Sequence, residues 1–309
     1  MSTPRVKVGI VGFGVMGARH ARVFGALDSE FEIAGAFDPH AAVIPGNLRL
    51  FVDLEELVEA SDLVIVANPI EAHVDTTLRA LSRGRHVLVE KPIASTAREA
   101  AMLLERATEK QARLFVGHSE RFHPVTRALA SSLEGEQILT MAFRRIANGT
   151  PRDASLRTPM ADALLNLAVH DIDLAAYLGR TEVELSVARR RGALAAIELV
   201  AKTGWRATID AGRTSELPER TLAIETVSSS YRADLKGGTL VAVDRTTGER
   251  RPVSLPTEEP LAAQATAIAA VLRGLSSDVA RAADGIRAVA VAERALVAIE
   301  NPVGTAENL

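Results

Sequence analysis

From Val6 to about His118, short runs rich in β-branched residues alternate with amphipathic helical patterns, as in βαβ units that build a parallel sheet. Apolar runs at 6–11, 31–37, 62–67, 86–89 and 113–117 read as strands. Between them, the spacing predicts helices near 15–27, 53–59, 72–83 and 96–110. Ser95, ahead of Ala97-Arg98-Glu99, is the expected N-cap of the last helix, with its capping-box partner nearby.

After about Pro124 the pattern changes. A helix to about 133, a strand near 137–146 and a helix over 160–176 lead into strand-like runs at 182–190, 194–201, 205–212, 220–226 and 239–243. Arg191-Gly192 and Lys236-Gly237-Gly238 mark turns between them, and helical stretches at 259–273 and 284–299 close the chain. The expected fold is α/β: an N-terminal Rossmann domain with a doubly wound parallel sheet over 1–119, then a C-terminal α+β domain over 120–309 on a mostly antiparallel open sheet. Such a sheet needs its face covered. A partner copy is one way to do so, which points to a homodimer or homotetramer through the C-terminal sheet.

Composition narrows the function classes. With 309 residues, 47% hydrophobic, 24% charged and a net charge of −3, the chain has room for two cores and no bulk attraction to nucleic acid or an anionic membrane. The absence of cysteine excludes disulfides, thiolate catalysis and cysteine-based metal sites. The N-terminal run is too short and glycine-broken for a signal segment, and no uncharged apolar run approaches ~18 residues, so a cytoplasmic protein is expected.

Candidate chemistry starts at Gly12-Phe13-Gly14-Val15-Met16-Gly17, which follows a buried strand and opens a helix. Gly12 permits the tight turn, Gly14 lets backbone approach a pyrophosphate, and Gly17 lets the helix pack close to the strand. Asp38, at the end of the second strand, suits the adenosine ribose hydroxyls and repels a 2′-phosphate; no Arg or Lys stands beside it, so NAD is favoured over NADP. Asp38 as a simple turn cap is the plain alternative. Glu90-Lys91-Pro92 lies at the carboxyl edge of the fourth strand, where Lys91 would donate a charged hydrogen bond to a substrate oxygen. On the 160–176 helix, Asn166, His170 and Asp173 share one face at 3.6 residues per turn, a polar stripe on an otherwise apolar helix.

Taken in order, Gly12/Gly14/Gly17, Asp38, Asn68-Pro69 with His73, Glu90-Lys91-Pro92, Gly117-His118 with Arg121-Phe122-His123-Pro124, and His170-Asp171-Ile172-Asp173 resemble the glucose-fructose oxidoreductase / inositol dehydrogenase / rhizopine catabolism (Gfo/Idh/MocA) family. From Val116 through Asp173 the chain is most similar to its UDP-N-acetylglucosamine 3-dehydrogenase-like branch. The resemblance implies NAD held by Gly12 through Gly17, Asp38, Asn68, Pro69, His73, Glu90 and Lys91. It implies a sugar, nucleotide-sugar or cyclitol substrate met by Lys91, Arg121, His123, Asn166 and His170. Lys91 would touch the nicotinamide ribose and the reacting hydroxyl, and His170 would exchange the hydroxyl proton. Asn166 would position the substrate, and Asp173 would support the helix.

The chain also departs from the family. Asn166 stands where the family usually has aspartate, and losing that carboxylate should make His170 a weaker base. Asp162, one turn back, is a candidate to supply the missing charge to substrate or to a cation; a helix N-terminal carboxylate favoured by the dipole is the plain alternative. Among Arg144, Arg145, Arg152 and Arg157, some would clamp a diphosphate or else point into water, whereas Arg189-Arg190-Arg191 reads as a solvated turn. His118, His123 and His170 lack the carboxylate arrangement of a metal site, so no metal is expected. Two further readings remain: an NAD(H)-binding pseudoenzyme, and a reductase of a non-sugar carbonyl or imine.

Overall fold

The computed structural model describes residues 4–40, 48–150, 156 and 158–301, in two compact units: one of residues 1–122 with 258–287, the other of 123–257 with 288–309. In the first, β1 (Val6–Val11), β2 (Phe31–Phe37), β3 (Leu63–Val66), β4 (His86–Val89) and β5 (Leu114–Val116) form a wholly parallel sheet in the order 2-1-3-4-5. All four residues of β3 are completely buried, as expected of a strand covered on both faces. The connecting helices are α1 (Val15–Ala26), α2 (Leu54–Glu59), α3 (Ile70–Ser82) and α4 (Ala97–Glu109). Strand order reverses between β1 and β3, which opens a crevice at their carboxyl ends. Thr96, not Ser95, caps α4: its hydroxyl accepts from Glu99 N and Glu99 accepts from Thr96 N. The box needs its glutamate three residues past the cap, and only Thr96 satisfies that count.

One expected boundary changes. The segment 258–287 packs with the first unit rather than with the second. Its helix α8 (Pro260–Leu272) buries Leu261, Ala265, Ile268 and Val271 in a core with Val8, Ile10, Phe24 and Phe31, and Val116 N then donates to Ala280 O beside β5. An apolar stripe of this width has to be covered, and the sheet's helical layer covers it.

The second unit is built on an eight-stranded sheet: β6 (Ile138–Ala147), β7 (Val183–Arg191), β8 (Leu194–Ala201), β9 (Arg206–Arg213), β10 (Glu219–Thr226), β11 (Ser229–Asp234), β12 (Thr239–Asp244) and β13 (Arg250–Pro252). The order is 13-12-11-10-6-9-8-7, antiparallel throughout except for the parallel pair β6 and β9. β11 and β13 carry too few apolar residues to signal a strand, and pairing with β12 makes them one. Helices α5 (Pro124–Ser132), α6 (Pro159–Ala161), α7 (Val169–Leu178) and α9 (Ala282–Glu300) complete the set, with the unit boundary falling inside α9.

The expected continuous α-helix over 160–176 is instead α6, then a π-helix at Asp162–Ala168, then α7, and the latter two pack on β9. The i→i+5 turn is wider, so the α-helical spacing that aligns Asn166, His170 and Asp173 does not carry through this stretch. Asn166 and His170 are half-buried, whereas Asp173 is buried. The polar stripe therefore narrows to the first two. Among the described residues no helix is long and apolar enough to cross a membrane.

Candidate functional site

The β1–α1 loop has the shape of an anion cradle. Gly12 sits at φ +85, where a Cβ would stand 2.5 Å from Asn68 N, and a Cβ on Gly17 would stand 1.9 Å from the Gly12 carbonyl oxygen. A Cβ on Gly14 would meet nothing within 4 Å, so that glycine faces open space. Helix α1 starts at Val15 with neither a side-chain cap nor an acidic residue in its first turn, which leaves its N-terminal N–H groups and positive potential to a ligand. These features fit a dinucleotide pyrophosphate. Val15 is 60% exposed and Met16 half-buried beside it.

Asp38, at the end of β2, holds this loop: Oδ2 accepts from Phe13 N at 2.8 Å and Oδ1 from His40 N at 2.8 Å. The carboxylate thus caps a turn and also fixes the Gly-rich loop. Each oxygen retains a second lone pair for a ribose hydroxyl.

Asn68, after β3, donates to Thr76 Oγ1 at 2.9 Å, and Pro69 caps α3. His73 on α3 is buried, with Nδ1 2.9 Å from the Pro92 carbonyl oxygen and Nε2 2.9 Å from that of Asn68. It ties the two loops together. Carbonyl oxygens only accept, so a ring N–H on Nδ1 donates to Pro92 and one on Nε2 to Asn68. Both ring nitrogens thus lie beside main-chain carbonyls of the two loops that the cofactor reading places at the nicotinamide end.

Glu90 and Lys91 follow β4, and the Lys91–Pro92 bond is cis. Lys91 is half-buried, while Glu90 is buried with Oε1 2.7 Å from His20 Nε2 of α1 and Oε2 3.3 Å from Lys91 N. Burial favours the neutral acid, but the hydrogen bond from His20 and the positive charge of Lys91 hold the Glu90 carboxyl below its ordinary value. Gly12 through Gly17, Asp38, Asn68, Pro69, Glu90 and Lys91 therefore gather at the carboxyl edge of one sheet.

Asn166 and His170 belong to the second unit. Asn166 Nδ2 donates to Asp162 Oδ1 at 2.9 Å, and Arg213 Nε of β9 pairs with Asp162 Oδ2 at 2.7 Å. Asp162 is thus a buried carboxylate already matched by a guanidinium, so it does not lend its charge to a substrate or cation; it orients the Asn166 amide, whose other end is an acceptor. Next to His170, Asp171 forms a buried bidentate pair with Arg145 of β6, at 2.6 and 2.8 Å. That pair holds α7 to the sheet.

Other candidate residues also have partners within the protein. Arg121 is buried, 3.4 Å from Asp284 and 3.3 Å from the Asp278 carbonyl, and His123 caps α5 by accepting from Val125 N. Arg144 pairs with Glu219 and Glu216, so neither it nor Arg145 is a diphosphate clamp; Arg152 and Arg157 lie outside the described residues. Arg189, Arg190 and Arg191 are exposed on the β7–β8 hairpin and bond to Glu198, the Gly192 carbonyl and Asp210. Among the described residues no group of three His, Asp or Glu is arranged to hold a metal. His20 and Arg213 were missed, and the pairing of Arg145 with Asp171 was not foreseen. Of the two missed residues only His20 carried a signal, since its place three residues after Gly17 puts it on the inner face of α1.

Comparison with known proteins finds relatives among sugar and cyclitol dehydrogenases. Residues 6–118 match the model of the oxidoreductase family with an NAD-binding Rossmann fold, Gfo/Idh/MocA. UDP-N-acetylglucosamine 3-dehydrogenase of Acidithiobacillus ferrooxidans is 27% identical over 71% of this chain and 71% of its own. The rhizopine catabolism protein MocA of Rhizobium meliloti is 31% identical over 56% of this chain, which spans little more than half, 57%, of that relative. The solved structure of the Acidithiobacillus ferrooxidans dehydrogenase covers 96% of this chain and 99% of its own at TM-score 0.84 and 25% identity. With the fingerprint, Asp38 and Glu90-Lys91-Pro92 placed on one parallel sheet, residues 6–118 match the NAD-binding domain of the Gfo/Idh/MocA oxidoreductase family, and the chain is similar over its length to a solved dehydrogenase.

Proposed function

We propose that this chain is an NAD-dependent oxidoreductase that moves a hydride between nicotinamide and a secondary hydroxyl, or the corresponding ketone, of a sugar, nucleotide sugar or cyclitol. The observation that carries this reading is the open cradle at Gly14, with Asp38 and the Glu90–Lys91 turn at the same sheet edge. The relatives' names supply the substrate class. NAD, when bound, supplies the hydride acceptor. The loop N–H groups and the α1 terminus bind its pyrophosphate, and Asp38 takes a ribose hydroxyl and repels a 2′-phosphate. Lys91 donates a charged hydrogen bond to the reacting oxygen and stabilises developing alkoxide. His170 takes the hydroxyl proton in oxidation and returns it in reduction, with Asn166 positioning the substrate. A homodimer or homotetramer, formed through the eight-stranded sheet, is part of this proposal.

A second reading, an NAD(H)-binding protein of weakened activity, is favoured by one observation: the amide at Asn166, whose neighbour Asp162 is already charge-matched. One experiment separates the readings. Mass spectrometry under native and then denaturing conditions identifies any retained nucleotide or sugar, and NAD reduction is followed across a panel of sugars, UDP-sugars and inositols. Turnover that is lost in both Lys91→Met and His170→Ala supports the dehydrogenase. Nucleotide bound without turnover selects the second reading. Turnover that survives His170→Ala points to a carbonyl or imine reductase drawing its proton from solvent, and absence of nucleotide binding refutes all three.

A further inference from the structure

Lys91 does not hold its place alone. The carboxylate preceding it is enclosed on every side for which the structure gives a contact. Glu90 Oε1 meets His20 Nε2 at 2.7 Å, Oε2 faces Lys91 N at 3.3 Å, and a Cβ on Gly117, at the end of β5, would lie 2.8 Å from Oε2. His20 is completely buried on α1, the helix that starts on the glycine-rich loop. Its Nδ1 is buried with no hydrogen-bond partner among the described residues, so the ring's one hydrogen bond there is through Nε2, which donates to the Glu90 carboxylate. A fully buried imidazole that spends a donor on a carboxylate costs burial energy that a leucine at the same position would not, unless the carboxylate needs holding.

We propose that His20 is a positioning residue, which fixes the Glu90 carboxylate and through it the Lys91 turn, and so couples the pyrophosphate-binding helix to the lysine that meets the nicotinamide ribose and substrate. The proposal rests on the cofactor reading above. The groups acting on Glu90 are His20 from α1 and Lys91 from its own turn. On the far side of the turn, His73 from α3 holds the Pro92 carbonyl, and Gly117, followed by the buried His118, brings no side chain to the carboxylate. Without the His20 donor, burial dominates and Glu90 takes up a proton at higher pH than in the native protein.

The test measures binding of NADH and of ADP-ribose, which lacks the nicotinamide, to the full chain and to three variants between about pH 6 and pH 8.5, since a buried carboxylate that has lost its donor is more protonated toward the acidic end. His20→Asn ends at the position of Nδ1 and cannot reach Glu90. It is expected to bind ADP-ribose within about twofold of the native protein but NADH about tenfold more weakly at the acidic end, with recovery as pH rises, the factor a charge-assisted hydrogen bond is worth. His20→Gln, whose amide reaches the carboxylate, restores the native, pH-independent affinity. Glu90→Gln keeps the shape without the charge, so it weakens NADH by a similar factor at every pH. Native-like NADH binding by Glu90→Gln overturns the proposal even if the His20 variants fail to fold. Parallel loss of both ligands in His20→Asn also overturns it, since that is the mark of a merely structural residue. Native protein that binds neither ligand overturns the cofactor reading and the proposal with it, whereas native binding with unaffected variants overturns the proposal alone.

Discussion

The buried pair that seats the His170 helix provides the sharpest test of the second unit. Arg145 of β6 and Asp171 of α7 each have side chains only 5% exposed and meet through two hydrogen bonds, at 2.6 and 2.8 Å. Deleting one partner strands the other charge in the interior, which costs about 3–5 kcal/mol. A unit of this size loses about 2–4 °C of melting temperature per kcal/mol, so Asp171→Ala should lower the transition by about 6–20 °C. The chain's single tryptophan, Trp205, is buried in the same unit, so its fluorescence reports this transition rather than that of the Rossmann unit. Arg145→Met with Asp171→Leu removes both charges together and should recover most of the loss. If Asp171→Ala moves the tryptophan transition by less than about 2 °C, the pair carries under 1 kcal/mol and the anchoring argument is wrong.

Four other outcomes are expected. Gly17→Ala drives a methyl into the Gly12 carbonyl and should destabilise the first unit, while Gly14→Ala meets no protein atom and should leave the melting temperature unchanged but weaken NADH binding in a fluorescence titration. Asp162→Ala releases the Asn166 amide and strands Arg213, so in steady-state assays KM should rise more than kcat falls; unchanged kinetics would show that the amide's orientation is immaterial. His73→Leu removes both ring contacts to the Asn68 and Pro92 carbonyls and should lower the melting temperature of the first unit, and an unchanged transition would contradict the two-loop tie. Burial raises the Asp284 carboxyl but is outweighed by Arg121, the Arg281 N–H and Arg287, so it sits below its ordinary value. Its stabilising contribution is therefore present above the unfolded value of about 4 and lost as pH falls through the folded one, so Asp284→Asn should flatten the acid limb of a stability curve.

What was legible in the sequence was what local rules encode. The strands of the parallel sheet read as continuous apolar runs because both faces are buried, and the glycines were readable because neighbouring backbone demands those at 12 and 17 and close approach of a ligand favours the one at 14. Glu90-Lys91-Pro92 and His170 were found the same way, as short motifs at predictable strand and helix positions. Tertiary structure decided everything that depends on which distant groups meet. No spacing rule brings 258–287 back to the first unit; the uncovered apolar stripe of α8 does that, once the sheet exists. Nor does sequence reveal that Asp162 answers to Arg213, 51 positions away, or Arg145 to Asp171, 26 away, because a buried charge chooses its partner by proximity in space. The π turn at Asp162–Ala168 shows the same limit: the hydrophobic pattern specified a buried helix, and packing on β9 accompanies a winding that leaves Asn166 and His170 half-buried and Asp173 buried.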